Sequence, residues 1–304
     1  MAVPSHAAGA LPRYERPQER PQDAPTTTGA PIPWLEVAAV VGASALTPGA
    51  AALLLGLLRT GTTRIFPGGG VGIEYGSLLK TAVHPADVAG HVNEAAAHLH
   101  DRRVDVLLVP GMSGYPIGSL YALASGVPAI LLKKSKLTAA EAEAFPPGAF
   151  VIPSYTGEGD VVMSADPAAV ADVVGAVCAR QLAAQPAAER PEIVLRCAGA
   201  DDIIDKATMS RAVGESAVAI GRTAAAAWLD AHRAATGDDR PVEVRVEVAA
   251  WVTPLIKGYN RPQDHLRRFF GIEAFAGVNV TGLSLDPPAL EVEGVGLVSF
   301  APRR

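Results

Sequence analysis

Apolar runs of strand length alternate along this chain with alanine-rich stretches whose apolar residues recur at helical spacing. Val104, Val106, Leu107, Leu108 and Val109 make one run; Val127, Ala129, Ile130, Leu131 and Leu132 a second; Ile193, Val194 and Leu195 a third. Residues 85–100, 167–185 and 211–235 read as helices between and after them. This rhythm predicts βαβ units, hence an α/β fold with a parallel sheet flanked by helices. Residues 37–58 carry no charge and are long enough to span a bilayer. Thr47-Pro48-Gly49 interrupts them, however. Thr47 suits an N-cap and Pro48 the first helical position, so a fresh helix over 48–58 packed on the core is expected, with no membrane partner. Near the end, Leu290 and Val292 alternate with Glu291 and Glu293, the pattern of an edge hairpin with one face buried.

Residues 1–33 are rich in Pro, Ala, Thr, Gln and Arg. Such a segment buries too little apolar area to offset chain entropy, so a mobile tail, dispensable for activity and without a signal peptide's apolar core, is expected. The remaining chain divides into a main domain over 34–262 and a C-terminal extension over 263–304.

Composition narrows the class. With 304 residues, 49% hydrophobic and 19% charged, the chain can bury a full core. Its net charge of −5 argues against a nucleic-acid partner, which would call for a concentrated basic surface. Cys178 and Cys197 are its two cysteines; without a CxxC pair they suit a reducing cytoplasm better than a disulfide framework or structural zinc. His84, His91 and His98 are spaced by seven and can share a helix face. Without carboxylates at fixed offsets they read as solvated or half-buried side chains, not metal ligands.

Asp201 and Asp202 carry the chemistry. They follow the run Ile193-Val194-Leu195 and precede a helical stretch, so two carboxylates stand where a strand ends and a helix begins. Ligands of open α/β sheets bind at the carboxyl ends of strands, and the free amides of a following helix attract phosphate. Acids for hydroxyls beside amides for phosphate suit a phosphorylated sugar. The plainer alternative is a capped helix start with Asp201 or Asp202 as the N-cap.

The segment from Asp201 to Ser210 resembles the donor-binding loop of type I phosphoribosyltransferases. Four further segments keep the family's order and are similar to adenine phosphoribosyltransferases. Ile65-Phe66-Pro67-Gly68 through Tyr75-Gly76-Ser77-Leu78-Leu79 looks like the lead-in that covers the base. Val109-Pro110-Gly111-Met112-Ser113-Gly114 resembles the pyrophosphate loop, followed by a strand ending in Lys133, Lys134 and Lys136. The segment from Val151 to Met163, with Glu158 between Gly157 and Gly159, resembles a flexible hood, and that from Val248 to Gly258 resembles the last core strand with its exit Pro254-Leu255-Ile256-Lys257-Gly258. The resemblance covers most of residues 47–262.

It implies a phosphoribosyltransferase-like sheet with a flexible hood; the C-terminal β extension, additional to the family core, would serve as lid, acceptor contact or dimer contact. It also implies transfer from a 5-phosphorylated sugar 1-diphosphate to a nitrogenous, purine-like or otherwise specialised acceptor, with release of pyrophosphate. Asp201 and Asp202 would hold the sugar hydroxyls and Mg²⁺. Lys206, Ala207, Thr208, Met209 and Ser210 would hold the terminal phosphate. Gly111, Met112, Ser113, Gly114, Lys133, Lys134 and Lys136 would face the diphosphate, and Glu158 would stand over the reaction centre. A cytoplasmic homodimer is implied as well. Met112 and Ser113 stand where the family loop carries a base, and the phosphate turn lacks the family's glycines. These departures point to a specialised product, such as a nucleoside or glycoside antibiotic. They also leave open a non-catalytic phosphoribosyl-diphosphate sensor, or a nucleotide hydrolase or phosphorylase on the same fold.

Overall fold

Proline and threonine start the first elements. In the computed structural model, which describes residues 12–14, 27, 29–65, 71–136, 148–153, 160–186 and 189–302, helix α1 (Trp34–Gly42) is followed by α2 (Pro48–Thr60). Thr47 Oγ1 accepts the Ala50 N–H at 3.2 Å, and Pro48 at the first helical position forfeits an N–H that would be unpaired anyway. The expected break in the apolar stretch is thus a helix boundary. Among the described residues no helix is long and apolar enough to cross a membrane.

The chain continues through a two-stranded ribbon, β1 (Thr62–Ile65) and β2 (Val71–Glu74), the short helix α3 (Gly76–Leu79) and α4 (Pro85–Asp101). Then come β3 (Val106–Pro110), α5 (Tyr115–Ser125), β4 (Ala129–Lys136), β5 (Phe150–Pro153), β6 (Asp160–Ser164) and α6 (Pro167–Ala183). β7 (Glu192–Ala200), β8 (Ile203–Ile204), α7 (Thr208–Thr236) and β9 (Glu243–Lys257) follow. After a 3₁₀ turn at Gly258–Asn260 the chain closes with α8 (Pro262–Phe270), β10 (Ala274–Leu285), β11 (Pro288–Val292) and β12 (Gly296–Ser299).

Ten strands form one sheet in the order β12-β11-β10-β9-β7-β3-β4-β6-β5, with β8 pairing on β9. Its middle, β10-β9-β7-β3-β4, is parallel, and its margins are antiparallel. Period-two alternation sorts the side chains. Val106, Leu108, Leu195 and Trp251 pack with α6 and α7, whereas Leu107, Val109, Ala198 and Val252 pack with α4 and α5. Both faces of the parallel strands are therefore dry, and each buried Leu or Val contributes about 1.5–3 kcal/mol relative to exposure. A third cluster joins Leu53, Leu54 and Leu57 of α2 to Val280, Leu290 and Val298 of the C-terminal strands.

The C-terminal segment continues the same sheet. β10 pairs in parallel with β9, and β11–β12 is the edge hairpin that the alternation predicts, with Leu290 and Val292 buried and Glu291 half-exposed. The N-terminal segment departs from expectation. Residues 12–14 form a rung against β5, with Tyr14 N–H donating to Val151 O at 2.9 Å and Val151 N–H to Pro12 O at 2.8 Å. Ile32 makes a similar rung with β12. Both strands sit at sheet edges, where open backbone groups accept a further partner. His91 also differs from a solvated or half-buried side chain. It is buried, with Nε2 2.8 Å from the Tyr121 hydroxyl and its ring stacked on Phe275.

Candidate functional site

β7 carries the acid pair to the carboxyl edge of the parallel strands. Its pairing with β9 runs to Ala200↔Val252, Asp201 N–H donates to Val252 O at 3.3 Å, and pairing resumes at Ile203↔Leu255. Pro254 lies opposite the gap and has no N–H to continue the ladder. The chain thus detaches from its neighbour at the two aspartates. Neither caps a helix: α7 begins later, and its N-cap residue is Ala207.

Because successive residues at a strand end point to opposite faces, the neighbouring carboxylates have different surroundings. Asp202 is 2% exposed. Its Oδ2 accepts the Tyr75 hydroxyl at 2.9 Å and lies 3.3 Å from Lys80 Nζ, which also sits 4.6 Å from the centre of the Tyr75 ring. Asp201 is half-buried and accepts the Asp202 N–H at 2.9 Å. Burial, with the Asp202 charge beside it, pushes the Asp201 carboxyl well above the usual carboxylate range. Asp202 is therefore the member anchored by side-chain partners, and Asp201 the more exposed one. Beneath them the Tyr121 phenol is pushed well up by burial and by the Asp202 charge.

The glycine loop faces this pair. β3 and β7 are neighbours, and β3 runs into Gly111, whose N–H donates to Leu132 O at 3.0 Å, and then a cis peptide between Gly111 and Met112. A side-chain carbon on Gly114 would lie 2.8 Å from Pro110 O and 2.9 Å from Asp201 Oδ1. Only glycine lets the loop backbone come this close to the carboxylate. Met112 is 75% exposed and Ser113 half-buried. Neither carries positive charge.

The turn from Lys206 to Ser210 completes the edge. Ala207 adopts φ 58° and ψ 9° as it starts α7, a left-handed conformation in which glycine is commoner. The N–H groups of Thr208, Met209 and Ser210 have no hydrogen-bond acceptor among the described residues. The helix macrodipole adds positive character at that end. Asp205 would oppose an anion there. Lys257 offsets it at 2.9 Å, and the Asn260 amide donates to its other oxygen.

Of the residues singled out from sequence, Asp201, Asp202, Gly111, Met112, Ser113 and Gly114 come together, with Lys206, Ala207, Thr208, Met209 and Ser210 closing the loop that leaves the acid pair. Lys133 is exposed and Lys134 half-exposed on β4, just past its last pairing with β3 at Pro110↔Leu132. The Lys136 backbone pairs with Val161. Of the hood segment, 151–153 and 160–163 lie in β5 and β6, whereas 154–159 with Glu158 lies outside the described residues, as does 66–70 of the lead-in. Sequence reasoning passed over Tyr75, Lys80, Asp205, Lys257 and Asn260. Tyr75, Asp205 and Lys257 stood in segments already singled out, but nothing local to them gave their partners.

No family model and no curated protein matches this chain. Among solved structures it is similar to adenine phosphoribosyltransferase from Giardia lamblia in complex with 9-deazaadenine, at 15% identity over 77% of this chain and 98% of that one, with a TM-score of 0.46. The enzyme of the same name from Rhodothermus marinus aligns at 12% identity over 76% and 99%, TM-score 0.45. That from Saccharomyces cerevisiae aligns at 14% over 75% and 98%, TM-score 0.44.

Proposed function

We propose that this protein is a phosphoribosyltransferase-type enzyme. It would transfer a 5-phosphorylated sugar from its 1-diphosphate to a nitrogenous acceptor and release pyrophosphate. The observation that carries this reading is the close approach of Gly114 to the Asp201 carboxylate. It sets a glycine loop suited to diphosphate against an acid suited to ribose hydroxyls, at the carboxyl ends of neighbouring strands.

Each residue then has a task. Asp201 accepts the sugar hydroxyls and spreads the positive charge that develops as the glycosidic bond lengthens, while Asp202, fixed by Tyr75 and Lys80, adds a second negative charge behind it. The amides of Thr208, Met209 and Ser210 hold the terminal phosphate, with Lys206 beside them. Gly111 and Gly114 let the loop backbone approach the diphosphate, and Lys133, Lys134 and Lys136 supply charge from β4. Glu158 would close over the reacting carbon. Catalysis of this kind is mostly positioning and charge neutralisation, so no strong nucleophile is required.

Mg²⁺ fits this donor set on one condition. Among the described residues no group of three or more His, Cys, Asp or Glu side chains could hold a metal ion alone. The ion binds sites of this kind through one or two carboxylates together with substrate phosphates. Asp201 would be its protein ligand, with Asp202 behind. Bound there, the ion would neutralise the diphosphate.

The altered loops favour a specialised acceptor, such as one in antibiotic biosynthesis, and a cytoplasmic homodimer is the assembly proposed. The uncharged Met112 favours one competing reading, a sensor that binds donor without turnover. Pyrophosphate release from phosphoribosyl diphosphate with a panel of nitrogenous acceptors tests the proposal. Acceptor-dependent release is expected. Donor binding without release would make the protein a sensor, and release without acceptor a hydrolase.

A further inference from the structure

We propose that Lys80 is a further diphosphate-binding cation of this site, standing in at the acid pair for the base that the glycine loop lacks. The inference rests on the phosphoribosyltransferase reading. Leu78 and Leu79 of α3 are buried in the core formed with α2, which fixes the Lys80 backbone. Its side chain is 39% exposed, at the boundary between the acid pair and solvent. Nζ lies 3.3 Å from Asp202 Oδ2, Asp202 donates its N–H to Asp201, and Asp201 abuts Gly114. An unbroken chain of contacts therefore joins Lys80 to the loop that would cradle the diphosphate.

The other cations have different situations. Lys257 is engaged by Asp205, and Lys133 and Lys134 stand on β4, across β3 from the acid pair. Among the described residues Lys80 is the cation in direct contact with that pair. A lysine is a point charge on a flexible stem with three donors, so it can bond a phosphate oxygen while staying near Asp202. Tyr75 continues to donate to Asp202 when the ammonium turns away. Asp202 is then not stranded as an unpaired buried charge, which would be costly.

The alternative role is a counter-ion for Asp202 and nothing more. Titration calorimetry of the full chain with inorganic pyrophosphate plus Mg²⁺, and separately with ribose 5-phosphate, distinguishes the two. Lys80→Met is expected to weaken pyrophosphate binding at least about tenfold, equivalent to about 1.4 kcal/mol, and to leave ribose 5-phosphate within about twofold. Adding Met112→Arg to Lys80→Met is expected to restore pyrophosphate binding, because the loop then carries its own base. Unchanged pyrophosphate binding in Lys80→Met, equal loss of both ligands, or no rescue by Met112→Arg would overturn the role of Lys80 while leaving the phosphoribosyltransferase reading intact. Failure of the unaltered protein to bind either ligand would overturn both.

Discussion

In the proposed function Asp201 would set activity against stability. Its carboxyl is pushed up by burial and by Asp202, so the folded protein holds this proton at pH values where the unfolded chain, with a carboxyl near about 3.9, has released it. The favourable contribution of that proton is full below the unfolded value and is lost as pH rises through the folded one. Asp201→Asn keeps an oxygen to accept the Asp202 N–H and has no proton to lose. The ligand-free variant should melt at about the wild-type temperature near pH 4 and above it at pH 8, while turnover falls by one to two orders of magnitude, about 1.4–2.7 kcal/mol. Parallel melting curves for both proteins across that range would refute the assignment. At this scale the sequence displayed the carboxylates but not their partners. Tyr75 and Asp202 are 127 positions apart, and no local spacing encodes a contact brought about by a tertiary fold.

Elements were more legible where proline or an apolar period marks them. α2, α4, α6 and α7 fall within a few residues of expectation because Pro48, Pro85 and Pro167 open three of them and Gly237 at φ 71° closes the fourth. The rung at residues 12–14 is too short to show a period, and its stability comes from elsewhere. Tyr14 packs edge to face on Phe150 at 5.8 Å, and its hydroxyl donates to Glu215 of α7 at 2.6 Å. Arg13 pairs with Asp160 at 3.0 Å. Glu215 in turn accepts from Arg211, whose guanidinium covers Phe269 of α8. The segment fastens β5 and β6 to α7. Tyr14→Ala should lower stability by about 2–3 kcal/mol, from the lost aromatic packing and the charge-assisted hydrogen bond. Faster hydrogen exchange in β5 should accompany it. Unchanged exchange and melting would return residues 12–14 to the status of a dispensable tail.

For the whole molecule, the parallel middle of the sheet followed from the alternation of apolar runs and helices, whereas the strand order could not. The proposed site depends on that order. It places β3 beside β7, so that a loop and an acid pair separated by most of a hundred residues of chain face each other at one edge. Close packing holds that edge in place. A side-chain carbon on Gly199, two residues before Asp201, would come within 2.1 Å of the Trp251 ring, so β7 and β9 approach with no slack beneath the site. The N-terminal helices and the C-terminal strands share a second core with the lead-in segment, which ties the position of Tyr75 and Lys80 to the rest of the sheet.

In the proposed function Asp201 and the glycine loop form one site for a phosphosugar diphosphate. Calorimetric titration with phosphoribosyl diphosphate and Mg²⁺, on the unaltered protein and on Asp201→Asn, tests it most directly. Saturable binding that needs the metal and weakens at least about tenfold in the variant is expected. An unaltered protein that fails to bind the donor, or a variant that binds it equally well, would contradict it.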